Sequence, residues 1–160
     1  MKIIDQELLD ALSAEARGSA RRRRNHNLHP RLDDPVQRLF NALEPGTYIR
    51  PHRHVSTDQW ELFLVLRGAV DVVTFDDAGR VLTRHCLSAG GRETGVELSP
   101  DTWHSLVATS PGTMVFEVKP GPYEPLKAKD FAPWAPAEED PGADAFMRWL
   151  EQAVVGSRAP

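Results

Sequence analysis

Two histidines separated by one residue, His52 and His54, are the residues here whose type and spacing best fit metal chemistry. Side chains two apart in a strand point to one face, so these two imidazoles would project together. Glu61 opens the next apolar run, and His104 opens another about fifty residues later. Three imidazoles, with or without a carboxylate, could hold one divalent ion and leave positions open for water or substrate. A surface pair that binds nothing is the alternative, and the ligand types do not choose among Zn, Fe, Mn and Ni.

Four further side chains are candidates for contact with a ligand. Glu117 and Lys119 share one face of a predicted strand, where they could orient or protonate a substrate if they point inward. Because polar strand residues are usually exposed, a solvated outer face is the other interpretation. Arg38 and Arg50 could bind an anion through their guanidinium groups, or form salt bridges between strands.

Short β-prone runs with turn residues between them must position these side chains. Their spacing predicts a sandwich or jelly-roll barrel over residues 36–120. A helix over Gln6–Ala16, capped by Asp5, and a polar arm precede the barrel within residues 1–35. A Pro-rich wrap and a helix over Ala143–Val155 follow it within residues 121–160, all in one structural domain. The predicted strands are Val36–Leu43, Tyr48–His54, Glu61–Leu66, Val70–Phe75, Val81–Leu87, Thr94–Leu98, His104–Ala108 and Met114–Lys119.

The amino-acid composition argues against nucleic acid and membrane as partners of this protein. The 160 residues, 41% hydrophobic and 26% charged, fit one globular domain. A net charge of −4 gives no basic excess for nucleic acid, and no window approaches the ~18 apolar residues of a membrane span. The single cysteine, Cys86, and the lack of an apolar signal segment favour the cytoplasm. Exposed edge strands and the Pro-rich tail favour a homodimer.

Two spaced motifs in the chain resemble those of the cupin superfamily. Gly46, the run His52–His54, Glu61 and Gly68 are similar to the first cupin motif. The second cupin motif is matched by Gly95, Pro100 and His104, although Thr102 stands where that motif usually has Gly. This resemblance implies a double-stranded β-helix with short helices at its two ends.

A more specific resemblance extends beyond those motifs. The segments Arg24–His29, Pro45–His54 and Glu117–Tyr123 look like the WbuC-type cupin metalloproteins. It implies a metal in the barrel and an Arg24–His29 segment folded over its mouth. There Asn27 and His29 would shape the pocket, and Arg24 would pair with a phosphate or carboxylate. WbuC-type genes are often found with O-antigen or other surface-polysaccharide clusters, and the reaction of the family is not established.

The leading functional hypothesis is therefore a metal-dependent cupin acting on a small anionic or sugar-derived ligand. Isomerisation, lyase chemistry or hydrolysis would suit a Lewis-acid metal, and an Fe(II) oxygenase would suit two His and a carboxylate. One rival is a non-catalytic protein that binds or senses a sugar or nucleotide sugar. Another is a metal-free sugar epimerase with a His base and a Tyr acid.

Overall fold

The computed structural model describes residues 1–55, 59–127 and 130–160, and its main feature is a pair of antiparallel β-sheets. One sheet has five strands in the order β1-β2-β8-β3-β6, and the other has three in the order β5-β4-β7. With a short helix near each end, this confirms the predicted mainly β jelly-roll fold of the cupins. The strands are β1 Arg23–Asn27, β2 Val36–Leu43, β3 Glu61–Arg67, β4 Ala69–Phe75, β5 Val81–Ser88, β6 Gly95–Leu98, β7 Trp103–Ala108 and β8 Thr113–Pro120.

The barrel interior follows from alternation along the strands. On β3, Phe63 and Val65 are buried while Leu64 and Leu66 are exposed, as expected for one inward and one outward face. Phe63 and Val65 pack in a single apolar cluster with Val70 and Val72 of β4 and with Leu106 of β7. Side chains from both sheets therefore fill part of the barrel interior, and some of them, such as Phe63 and Leu106, also line the cavity described below.

The N-terminal helix, α1 (Gln6–Gly18), covers the outer face of the larger sheet. Asp5 caps it by accepting a hydrogen bond from the Leu8 N–H at 3.0 Å, as predicted. Its buried residues Leu9, Leu12 and Ala16 pack against Phe40, Ala42 and Met114.

The C-terminal helix, α2 (Ala143–Gln152), covers the outer face of the smaller sheet. Phe146 and Leu150 of α2 pack against Val73 and Phe75 of β4. The prediction that α2 extends to Val155 was wrong: Ala153 is extended, and Val154 is 65% exposed instead of lying on the apolar face. No helix in the described ranges has the length and apolar character needed to cross a membrane.

Two stretches differ from the sequence prediction. The segment predicted as the strand Tyr48–His54 forms isolated bridges instead, from His52 to His104 and from His52 to Phe131. The N–H groups of His52 and His104 donate to each other's carbonyls at 3.1 and 2.9 Å. Pro51 has no N–H to donate, so a regular ladder cannot continue through it. The arm predicted before the barrel contains β1, which pairs with β2. Its run of arginines and asparagines has no apolar alternation to reveal a strand.

Candidate metal centre

The four predicted metal ligands come together at one end of the barrel. His52, His54, Glu61 and His104 each offer one ligand atom, and these atoms all lie within 4.8 Å of one another. They come from the bridge segment, from the first residue of β3 and from β7. The paired backbones of His52 and His104 hold two of the imidazoles side by side, with ring centroids 4.5 Å apart.

The backbone fixes which ring nitrogen points into this cluster. Nδ1 of His52 lies 3.0 Å from the carbonyl oxygen of Arg50, and Nδ1 of His104 lies 2.9 Å from that of Thr102. A carbonyl only accepts, so each Nδ1 carries the hydrogen and donates it. The Nε2 lone pair of each ring is then free for coordination, the arrangement usual for metal-binding histidines.

Glu61 contacts two of the three histidines in the cluster, and its side chain is only 3% exposed. Its Oε1 lies 3.1 Å from His54 Nε2, and its Oε2 lies 3.0 Å from His104 Nε2. Both His54 Nε2 and Glu61 Oε2 are nevertheless buried without a hydrogen bond. Buried polar atoms without partners are costly, and a cation held among these atoms would satisfy them. The residues therefore fit a divalent ion.

Electrostatics inside the cluster favour a bound cation. Burial lowers the pKa of His52 to about 3, assisted by the charge of His104, so that its ring is neutral at pH 7. Burial alone would raise the pKa of Glu61, but contacts with His104 and His54 outweigh it and hold that pKa well below its usual value. Burial opposes charge on His104 as well, yet contact with the ionised Glu61 carboxylate raises its pKa. A neutral imidazole beside a firmly ionised carboxylate is a suitable ligand pair for a metal.

A cavity of about 470 Å³ opens onto this cluster. His52, Glu61 and His104 line it, whereas His54 lines two smaller pockets of about 120 and 260 Å³ instead. Phe63 and Leu106 provide apolar wall next to the ligands. The metal ligands are therefore reachable from the larger cavity, which has the size of a small-molecule site.

Glu117 and Lys119 both point into this cavity. Lys119 Nζ lies 2.6 Å from Glu117 Oε1 and 2.9 Å from Glu61 Oε1, so one ammonium joins the metal cluster to a second carboxylate. Asn41 Nδ2 donates to Glu117 Oε2 at 2.6 Å. Burial would lower the pKa of Lys119, but the charges of Glu117 and Glu61 outweigh burial and raise that pKa above its usual value, so the side chain stays cationic. Strand spacing alone left open which face of β8 these two residues occupy.

The predicted ligand-binding residues divide into two groups. Asn27 and His29 line the cavity. The three arginines do not. Arg24 is exposed and lies 2.7 Å from Glu15 of α1, because alternation along β1 turns it outward. Arg38 is exposed on β2, and Arg50 lies over the Phe131 ring and donates to the carbonyl of Ala132.

Other lining residues were not predicted. Arg23 and Asn25 of β1, Asn41 of β2 and Tyr123 after β8 also line the cavity. Once β1 is known to be a strand, the two-residue spacing of Arg23, Asn25 and Asn27 places them on one face. Tyr123 had no such signal, since it lies in the Pro-rich segment outside any regular element.

The family model "Domain of unknown function (DUF6016)" matches residues 4–87, which is just over half of the chain. The chain belongs to this family. The matched region includes α1, β1 to β4 and three of the four candidate metal ligands. No curated protein matches the chain.

Solved structures share the fold at low sequence identity. TT1209 from Thermus thermophilus is 16% identical with a TM-score of 0.54, over 75% of this chain and 97% of that protein. KdgF from Halomonas sp. is 17% identical with a TM-score of 0.50, over 64% and 82%. A cupin superfamily protein from Desulfitobacterium hafniense is 16% identical with a TM-score of 0.48, over 61% and 76%. The first two likenesses show a shared fold and nothing finer.

Proposed function

We propose that this protein is a metal-binding cupin that acts on a small anionic or sugar-derived ligand in its barrel cavity. One observation carries the proposal: three histidines and Glu61 present their ligand atoms to one point, and that point opens onto a cavity of about 470 Å³. A metal that only stabilised the fold would need no such access. The ion is one divalent cation, of Zn, Fe, Mn or Ni.

The charges in the cavity support an anionic ligand. Among the described lining residues, Glu61 and Glu117 bring two negative charges and Lys119 one positive charge. The charge of Arg23 is matched by Glu138, with which it forms an ion pair. A divalent ion would turn the remaining single negative charge into a single positive charge. A ligand with one anionic group would neutralise the site, which favours its binding in a cavity of low dielectric constant.

The same arrangement can assist a reaction. A bound divalent ion supplies a Lewis acid or lowers the pKa of a water molecule. Glu117 is the residue placed to hold or release a proton in the cavity, since Asn41 fixes its Oε2 and Lys119 lies against its Oε1. Phe63 and Leu106 keep part of the wall free of water. Isomerisation, lyase chemistry, hydrolysis and oxygenation all remain compatible with these roles.

The motif resemblance to the WbuC-type cupins supports a place in surface-polysaccharide metabolism, and it is the only support for that link. We also propose a cytoplasmic homodimer. The edges of the sheets, at β1, β6, β5 and β7, offer backbone groups to a second copy.

Elemental analysis of natively expressed protein tests the proposal. We expect close to one divalent ion per chain, and we expect His52→Ala and His104→Ala to lose it while circular dichroism shows the fold retained. His85→Ala is the matched control, because His85 is exposed and pairs with Glu93 outside the metal cluster. Wild-type protein that binds no divalent ion, even after reloading, would contradict the proposal.

A further inference from the structure

A buried polar atom lies in the cavity wall away from the metal cluster. His29 is 6% exposed and lines the cavity, and its Nε2 is buried without a hydrogen-bond partner. An unpaired buried nitrogen costs free energy unless something in the cavity bonds to it. The metal cluster leaves this atom unused, because its four ligand groups belong to other residues.

The backbone determines what this nitrogen can do. The Arg38 N–H donates to His29 Nδ1 at 3.0 Å. The Arg38 carbonyl is also 2.9 Å from Nδ1, but it already accepts the Leu28 N–H at 2.8 Å. A backbone N–H can only donate, so Nδ1 acts as the acceptor and the ring hydrogen is on Nε2. His29 therefore presents an uncharged N–H donor to the cavity, and its partner must be an oxygen or another acceptor.

Near His29, the described residues that line the cavity carry no unpaired charge. Asn25 and Asn27 line the cavity from neighbouring β1, and their amides are neutral. Arg23 is the one cation of β1 that lines the cavity, and its guanidinium contacts Glu138 and donates to the Tyr48 carbonyl at 2.8 Å. This wall is suited to hydroxyl or carbonyl oxygens, and a second phosphate or carboxylate would find no free cation there.

This neutral wall and the metal cluster lie on different sides of the cavity. His29 lies two residues after β1 and contacts the Arg38 backbone of β2 through Nδ1, whereas Glu61 begins β3, and β8 lies between β2 and β3. Two strand spacings separate β2 from β3, about 10 Å along the sheet. A ligand of several carbons that spans this distance would therefore meet the charged metal cluster at one end and neutral hydrogen-bond donors at the other. The groups at its two ends must differ to match them.

We propose that the cavity takes a hydroxylated monocarboxylate, with its single anionic group at the metal cluster and Lys119 and its hydroxyl oxygens on His29, Asn25 and Asn27. This inference rests on the proposed function and narrows its ligand class. It excludes a nucleotide sugar, whose diphosphate brings charge that this wall does not match. His29 is then the residue that distinguishes a hydroxylated acid from an unsubstituted one.

Calorimetric titration of the zinc-loaded protein with four probes tests the inference. Gluconate has one carboxylate and five hydroxyls, hexanoate has the same number of carbons without hydroxyls, glucose lacks the carboxylate, and UDP-glucose is a nucleotide sugar. We expect gluconate to bind most tightly. We expect His29→Ala to reduce the preference for gluconate over hexanoate about tenfold, as loss of one buried hydrogen bond would, and His29→Gln, which keeps an N–H donor, to restore part of it.

His26→Ala is the matched control, because His26 lies on β1 but stacks on Phe40 outside the cavity, and it should leave the preference unchanged. Zinc content and the thermal midpoint are measured for every variant. Wild-type protein that binds no divalent ion, even after zinc loading, would overturn the proposed function itself. Zinc-loaded protein that binds hexanoate or UDP-glucose as tightly as gluconate, or that keeps its preference in the folded His29 variants, would overturn only this inference. If His29→Ala fails to fold, His29→Phe replaces it in the comparison.

Discussion

At the scale of single residues, Glu61 connects the metal ligands to the remainder of the cavity. Its two oxygens contact His54, His104 and Lys119 within 3.1 Å. The carboxylate thus contributes negative charge to the cation site and also balances the Lys119 ammonium. Loss of that charge would affect both the cation site and the Lys119 ammonium, and this makes Glu61 the most informative position to change.

Glu61→Gln keeps the size of the side chain and removes its charge. We expect metal affinity to fall roughly 10-fold to 100-fold, as for loss of a group that coordinates the ion or orients its ligands. The measurement is a competition titration with a metal-binding dye. Glu93→Gln is the control, because Glu93 contacts exposed His85 and is absent from the metal cluster. Undiminished affinity in Glu61→Gln would show that Glu61 does not coordinate the ion.

The four candidate metal ligands could be predicted from the sequence more fully than the other residues that line the cavity. The two-residue spacing of His52 and His54, together with His104, predicts a chelating group, because a strand or bridge turns alternate side chains to one side. Spacing places Glu117 and Lys119 on one face of β8 but does not say which face. The choice of face depends on two residues that are distant in sequence: Glu61 pairs with the Lys119 ammonium, and Asn41 donates a hydrogen bond to Glu117. The outward direction of Arg24 depends likewise on β1 and on Glu15.

At the scale of elements, β1 depends on an ion pair with the Pro-rich segment. Glu138 contacts Arg21 at 2.8 Å and also pairs with Arg23. Burial would raise the pKa of Glu138, but hydrogen bonding to Arg21 and the charge of Arg23 hold it below its usual value. The sequence could not reveal this link, because more than a hundred residues separate the partners.

Glu138→Gln should therefore destabilise the protein by about 1 kcal/mol at pH 7, since the pair is partly exposed. A lowered carboxyl pKa contributes stability above the unfolded value of about 4.3, and that contribution is lost as pH falls through the lower folded value. The difference from wild type should be constant near neutrality and shrink below about pH 4. Urea unfolding at a series of pH values measures it. Glu139→Gln, at an exposed neighbour, is the control. A difference that grows toward acid pH would contradict this account of Glu138.

Elements were predicted where apolar alternation is strong and missed where it is absent. The strand Val36–Leu43 was predicted with the bounds that the structure shows, because buried residues dominate it. β1 lacks any apolar residue, and its pairing with β2 gives it order. In the segment 48–54 the prediction failed at Pro51, although the backbone bridge to His104 still positions His52 as a strand would.

At the scale of the whole molecule, the candidate ligands join the two sheets. Glu61 belongs to the five-stranded sheet, His104 to the three-stranded sheet, and His52 to the segment bridged to His104. These residues are far apart in sequence and come together only when the chain folds, so an ion held by them would bind the folded barrel in preference to the unfolded chain. Binding free energy at this site then becomes stability of the entire fold.

Removal of the ion with a chelator should therefore lower the thermal midpoint. Metal at a thousand times its dissociation constant stabilises a folded protein by about 4 kcal/mol. For a chain of this length, that corresponds to roughly 8–16 °C. Differential scanning calorimetry with and without chelator measures the change, and metal added back in excess should reverse it. His52→Ala should have the same midpoint in both conditions, whereas the surface variant His85→Ala should behave as wild type. A wild-type midpoint that is unchanged when elemental analysis shows the ion gone would mean that the ion does not join the sheets.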